Sequence, residues 1–267
     1  MNRADRTLSE AGVAAIADEL ASAERERTTV PLLTARHPGM TVDDAYAVQN
    51  EWRRRGTAAG RRPVGRKIGL TSKAMQQATG ITEPDYGAVF ADTVFADGSA
   101  IEHARFSNVR IEVEVAFVLG ESLEGPGVTI FDVLRATEYV VPALEILSSR
   151  IELAGRTIVD TISDNAAYGG LVHGGTPVAV DAVDLRWIAA LLHRNEQIEE
   201  SGVAAAVLNH PATGVAWLAR KLAQHDDRLE AGEIVLAGSF TRPVWVERGD
   251  TVLADYHELG TVSCRFV

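Results

Sequence analysis

The segment Val109-Arg110-Ile111-Glu112-Val113-Glu114-Val115-Ala116-Phe117 constrains the fold more than any other. Side chains of a strand alternate between two faces. Val109, Ile111, Val113, Val115 and Phe117 therefore share one face, suited to a core, while Arg110, Glu112 and Glu114 share the other. Two glutamates at i and i+2 have Cα atoms about 6.5–7 Å apart, so their carboxylates can converge on one ion. In a second apolar run, Val140-Val141-Pro142-Ala143-Leu144-Glu145-Ile146-Leu147, Glu145 is the only charge. An unpaired carboxylate in the interior is costly. Three carboxylates with no Cys or His partner suit a hard divalent cation, Mg²⁺ or Mn²⁺. Spacing alone also allows a second solution: Glu112 and Glu114 face solvent on a half-exposed strand, and Glu145 pairs with an arginine.

The flanking sequence sets an α+β class. Residues 7–27 read as a helix, with Thr7 and Glu10 at capping-box spacing and Val13, Ile16 and Leu20 on one face. A second helix fits 42–55, capped by Thr41 and Asp44 and ended by Gly56. The connector PLLTARHPGM separates them. After Gly65, β-branched runs alternate with turn residues: RKIGL, NVRIEVEVAFVL, EYVVPALEIL, TPVAV, GEIVLAGSF, RPVWVERG, DTVLADY and TVSCRFV. Helices are expected at 129–137, 184–193 and 211–224, the last opened by Pro211 at a position that needs no N–H. The expected organisation is a helical N-terminal subdomain, 1–62, on a mainly β, mixed-sheet domain, 63–267. Arg248-Gly249-Asp250 reads as a hairpin turn.

Composition removes several function classes. The formal charge is −11 over 267 residues, which disfavours a polyanion binder, and 6% aromatics leave little for base stacking. Cys264 is the only cysteine, so neither an intrachain disulfide nor a Cys-based zinc site forms, and a reducing compartment is the default. The seven histidines show no metal-ligand spacing, and His210 suits a helix N-cap. No run of about 18 apolar residues appears, and Glu10, Asp18 and Glu19 interrupt any signal-like stretch. The expectation is a cytoplasmic protein without membrane or nucleic-acid partners. Arg53, Arg54, Arg55, Arg61, Arg62 and Arg66 read either as a solvated helix end or as a local attractor for a small anion. Lys67 differs, because its run KIGL enters the core, and a buried lysine needs a partner or a function.

At the level of whole blocks the chain resembles the hydratase and decarboxylase group of the fumarylacetoacetate hydrolase superfamily. The blocks are DAYAVQNEW (44–52), GRKIGLTSKAM (65–75), EPDYGA (83–88), RIEVEVAFVL (110–119), VVPALEIL (140–147), DTISDNAA (160–167), GVAAAVLNHPATGVAWLA (202–219), LEAGEIVLAGSFTRPV (229–244) and SCRFV. Their order and spacing, over nearly the whole chain, carry the likeness. The later blocks look most like members that hydrate a heptenedioate in homoprotocatechuate degradation. The resemblance implies a rolled-sheet fold, a homo-oligomer, a Mg²⁺-type ion and a small 2-oxo or 2-hydroxydienoate substrate. It places the metal carboxylates on Glu112, Glu114 and Glu145, the active-site lysine on Lys67 and an acid–base carboxyl on Asp85. Leu70, Asp164 and Ser239 fall in segments that line the family's site. Arg242, after the GSFT strand, or one of the arginines near Lys67, is the expected reader of a distal carboxylate. Glu258 stands where relatives often carry a small residue. Decarboxylation of 4-oxalocrotonate, hydration of a pentadienoate and a silent metal-binding scaffold are the alternatives.

Overall fold

In the computed structural model, residues 6–73, 76, 77, 81 and 83–267 are described. Ala74 and Met75 of the GRKIGLTSKAM block lie outside them. Three helices come first: α1 (Glu10–Glu26), the single turn α2 (Leu33–Arg36) and α3 (Val42–Ala58). The strands β1 (Pro63–Gly69), β2 (Asp85–Phe90), β3 (Val94–Ala96), β4 (Ser99–Ile101) and β5 (Arg110–Leu119) follow. Then come α4 (Ile130–Ala136), β6 (Thr137–Leu147), α5 (Ile158–Ser163), β7 (Tyr168–His173), β8 (Ala189–Arg194) and β9 (Gln197–Val203). The chain closes with α6 (Pro211–Ala223), β10 (Ile234–Leu236), β11 (Val244–Trp245), β12 (Thr251–Asp255) and β13 (Thr261–Phe266). Among the described residues no helix is long and apolar enough to cross a membrane.

Two mixed sheets form the larger part. An eight-stranded sheet runs β2-β1-β10-β5-β6-β7-β3, with β11 added to β5, and a five-stranded sheet runs β4-β13-β12-β8-β9. The longest pairing is β5 with β6, antiparallel, in the register Ile111↔Ile146, Glu112↔Glu145 and Val113↔Leu144. Ile111, Val113, Val115 and Phe117 are buried in the main core with Leu20, Val48 and Leu218 of the helices. Burying each such side chain contributes roughly 1.5–3 kcal/mol. The α+β class and the rolled mixed sheet expected from sequence are those observed.

Several local expectations change. Helix α1 is capped by the Ser9 hydroxyl, which accepts from Gly12 N–H. Thr7 instead gives its N–H and hydroxyl to Asp44, the acid that closes the α3 capping box with Thr41. Gly56 does not end α3, which continues to Ala58. The expected helix at 184–193 is replaced by strand β8, where Ala190 and Leu192 are buried while Ala189 and Leu191 are exposed. Two-residue alternation prevails there because β9 and β12 pair on either side. TPVAV contributes only an isolated bridge, Val140↔Val178. His210 caps α6, its Nδ1 accepting from Ala212 N–H, and Arg248-Gly249 forms a turn before β12.

Candidate active site

The three glutamates meet inside the large sheet. Glu112 on β5 lies opposite Glu145 on β6, and Glu114 is two residues further along the same face of β5. One oxygen from each carboxylate lies within 4.8 Å of the others. Glu114 and Glu145 have no exposed surface, and Glu112 is half-buried. Solvent-facing carboxylates are therefore not what the fold produces: helices pack on the Ile111–Phe117 face of β5, and on the glutamate face Ala116 packs with Val89, Ala143, Leu171 and Leu236 of the neighbouring strands. Gly238 N–H donates to Glu114 Oε2 at 2.8 Å. The Tyr256 hydroxyl sits between strands, 2.6 Å from the Glu114 carbonyl and 2.8 Å from that of Ala143, and fixes this register.

Strand β1 brings in the lysine. Lys67 Nζ lies 3.1 Å from Glu145 Oε1 and donates to the Ala166 carbonyl at 2.9 Å. Asp85 opens β2 opposite Gly69. A Cβ at Gly69 would stand 2.3 Å from Asp85 Oδ1 and 3.3 Å from Lys67 Nζ, so only glycine leaves room for both groups. The Ala166 carbonyl reaches Lys67 because Asn165, Ala166 and Ala167 all take left-handed φ values of 48°, 52° and 57°. Each such non-glycine residue costs roughly 1–2 kcal/mol. The run is held by the Asn165 side chain, which accepts from Ala88 N–H at 2.7 Å and donates to the Ala88 carbonyl at 2.9 Å. It is also held by Asp164, which pairs with the buried Arg150 and accepts from Ser149.

Electrostatics mark the cluster as strained without a cation. Burial, then the neighbouring Glu145 charge, pushes Glu112 up to about 8. The same causes raise Glu114 well above the carboxylate range. Burial also raises Glu145 and Asp85, and in both Lys67 opposes the shift. Burial works against the charge of Lys67, but Glu145, Asp85 and Glu114 together hold its ammonium above its ordinary value. Both oxygens of Asp85, Oε2 of Glu145 and Oε1 of Glu114 are buried without a hydrogen-bond partner among the described residues, and Oε1 of Glu145 has only Lys67. An all-oxygen donor set with unsatisfied, mutually repelling carboxylates fits a hard divalent ion.

Of the other sequence candidates, Asp164 and Leu70 border the cluster, while Arg242 and Glu258 stand apart from it. Asp164 is engaged by Arg150 and Ser149. Ser239 folds into its own loop, its hydroxyl donating to the Thr241 carbonyl and accepting from Thr241 N–H. Leu70 follows Gly69 in a left-handed conformation (φ 57°), and its carbonyl accepts from Gln76 Nε2. The Arg242 side chain is 77% exposed and pairs with Glu200 at 2.6 Å, on a groove of about 720 Å³ that Phe240 and Asn209 also line. Glu258 lies in a single 3₁₀ turn beside a separate surface pocket with Trp187. The arginines near Lys67 are mostly neutralised: Arg53 and Arg66 by Asp227, Arg54 by Glu51, Arg55 by Asp18 and Glu51, and Arg61 by Asp92 and Glu24. Sequence reasoning assigns no role to Asn165 or to Ala166, whose part depends on backbone conformation rather than residue type. It also passes over Arg110, although the alternation that groups the glutamates places it on their face.

Comparison with known proteins gives a consistent result. The pattern of the family described as "Fumarylacetoacetate (FAA) hydrolase C-terminal" matches residues 59–267. The chain is 55% identical to the 2-oxo-hept-4-ene-1,7-dioate hydratase of Escherichia coli, over 94% of this chain and 97% of that one. It is 42% identical to a 2-keto-4-pentenoate hydratase of Paraburkholderia xenovorans, over 86% of this chain and 85% of that protein. Among solved structures, the 4-oxalocrotonate decarboxylase from Pseudomonas putida G7, complexed with magnesium and adipate, superposes with a TM-score of 0.96. That match has 36% identity and covers 98% of this chain and 100% of the other.

Proposed function

The chain belongs to the fumarylacetoacetate hydrolase family, and on that premise we propose that it is a metal-dependent hydro-lyase adding water to a 2-oxo-alkenoate. Its substrate is 2-oxo-hept-4-ene-1,7-dioate and its product 4-hydroxy-2-oxo-heptanedioate, a step of aromatic (homoprotocatechuate) catabolism. Support comes from the hydratase relatives in E. coli and P. xenovorans and from the magnesium-bearing structural neighbour. The observation that carries the reading is the convergence of Glu112, Glu114 and Glu145 across β5 and β6, one oxygen of each within 4.8 Å of the others.

Glu112, Glu114 and Glu145 are the groups that hold the ion, Mg²⁺ or Mn²⁺. Held there, such an ion would supply Lewis-acid stabilisation of negative charge on the keto oxygen of a 2-oxo acid. The residues around it then manage protons and charge. Hydration requires the double bond to move into conjugation with the ketone: a proton leaves C3 and one arrives at C5. Water then adds at C4 with a proton returning to C3. Asp85 is suited to this traffic, since burial raises its carboxyl above the ordinary value and Gly69 leaves room for it next to Lys67. Lys67, charged and fixed by Glu145 and the Ala166 carbonyl, adds a fixed positive charge beside the developing oxyanion. Leu70 lies on the backbone that leaves Gly69, Asp164 anchors the turn behind Lys67, and Ser239 follows the Gly238 amide that holds Glu114.

In this reading the helical segment 1–62 braces the sheet domain 63–267: Gln49 of α3 donates to the carbonyls of Tyr86 and Ile162 on either side of the site. A cytoplasmic homo-oligomer is part of the proposal, supported by the exposed Leu191 and Ile198 on the five-stranded sheet. The test is ultraviolet decay of the 2-hydroxydienoate form of the seven-carbon dicarboxylate, with Mg²⁺ or EDTA, and product identification by mass spectrometry. Metal-dependent gain of one water is expected. A second reading, decarboxylation, is favoured by the 0.96 TM-score of the decarboxylase. Metal-dependent release of carbon dioxide from 4-oxalocrotonate would select it, and decay independent of metal would reject both.

A further inference from the structure

Hydration chemistry leaves two charged groups beside the cluster unused, Arg110 and Arg156. On β5 the order Glu114, Glu112, Arg110 runs along one face, about 6.5–7 Å per step. Exposure grows in the same direction: Glu114 has none, Glu112 and Arg110 are half-buried, and Trp245, which pairs with Arg110 from β11, is 53% exposed. The site therefore opens toward Arg110. Its guanidinium lies over the Trp245 ring at 5.4 Å, its Nε reaches the Asn108 carbonyl at 3.4 Å, and its Nη2 is buried with no acceptor among the described residues. Arg156 donates from Nη1 to Ser149 Oγ at 3.0 Å, and its charge acts on both Arg110 and Asp85. An orphaned guanidinium donor is unfavourable even with the charges of Glu112, Glu145 and Asp164 acting on Arg110, and an anion within reach would relieve it.

We propose that Arg110, assisted by Arg156, receives the distal carboxylate of a dicarboxylic 2-oxo acid and so selects dicarboxylates over monocarboxylates at this site. The proposal rests on the reading of the site as one for 2-oxo acids. A seven-carbon chain held at its C1 and C2 oxygens by the glutamate end extends its last carboxylate over a distance comparable to one two-residue step of β5. A planar guanidinium pairs such a carboxylate through two parallel hydrogen bonds. The exposed Arg242, already neutralised by Glu200, lacks both the unused donor and the position on the glutamate face.

The test is calorimetric binding of two unreactive ligands, 2-oxoheptanedioate and 2-oxoheptanoate, to the Mg²⁺-loaded protein. Wild type is expected to prefer the dicarboxylate by about tenfold or more, as a bidentate charge pair supplies. Arg110→Met should bring that ratio to within about twofold, Arg156→Met should lower it by a smaller factor, and Arg242→Met should lower it least. No preference in wild type overturns the proposal and needs no variant to fold. An unaltered ratio in folded Arg110→Met, or a ratio abolished by Arg242→Met alone, also overturns it. If wild type hydrates no dienoate yet keeps an Arg110-dependent preference, the hydratase reading fails and this inference stands.

Discussion

The protein buries two clusters of charge less than a domain apart, and they are built in opposite ways. Around Asp164 every polar atom is answered. Arg150 pairs with its carboxylate, Arg150 N–H and Ser149 Oγ donate to Oδ2 at 3.0 Å each, and the remaining guanidinium nitrogens reach the carbonyls of Asp164 and Tyr168. Around Glu145 four carboxyls share one ammonium, and four of their oxygens, both of Asp85, Oε1 of Glu114 and Oε2 of Glu145, have no hydrogen-bond partner among the described residues. Folding alone selects the first arrangement, because unpaired buried charge is destabilising. The second is tolerated only if something outside the chain completes it. A satisfied cluster thus reads as architecture and an unsatisfied one as a site.

That contrast breaks most visibly at Glu145. Glu145→Gln is expected to lower metal-dependent turnover by about 10⁴-fold, near 5.5 kcal/mol, while circular dichroism shows a folded chain. Retention of activity with Mg²⁺ would erase the distinction between the clusters. Arg150→Met should do the reverse. It leaves Asp164 buried and unpaired, so urea denaturation should show a loss of roughly 3–5 kcal/mol, while the folded protein still binds Mn²⁺. Asp85→Asn should reduce kcat by about a hundredfold and leave metal affinity within about threefold, separating proton transfer from ion holding.

The smallest effect concerns pH. A carboxyl whose folded pKa is raised holds its proton in the native state where the unfolded chain has lost it. Its contribution is present below the ordinary value of 4.5 and disappears as pH climbs to about 8, the folded value for Glu112. The EDTA-treated protein should therefore lose stability between pH 4.5 and 8, where the unfolded state binds fewer protons. Added Mg²⁺, which needs the deprotonated carboxylates, should raise Tm by several degrees more at pH 8 than at pH 6. An equal rise at both values would show that these carboxyls do not titrate with the ion.

Much of this architecture is legible in the order of the amino acids. Period-two alternation over 109–117 and the solitary charge of Glu145 encode which side chains share a face, and the face is what the sheet delivers. The α3 capping box and the His210 cap are readable because capping chemistry is local. Strand β8 is not, since Ala189 to Leu192 is an apolar run whose period only the pairing of β9 and β12 decides. Asn165 to Ala167 are opaque for another reason. Their left-handed backbone is held by the Asn165 bridge and the Asp164 anchor, whose partners, Ala88 and Arg150, are distant in sequence. Arg242 suits a distal carboxylate by its position after a strand, but strand β10 ends at Leu236, and the chain beyond it turns Arg242 outward to Glu200.

Manganese binding measured by electron paramagnetic resonance on wild type and on Glu112→Gln, Glu114→Gln and Glu145→Gln tests the account most directly. One ion per chain in wild type, with each single substitution weakening it by at least about a hundredfold, is the predicted result. One ion bound with unchanged affinity in all three variants would contradict it.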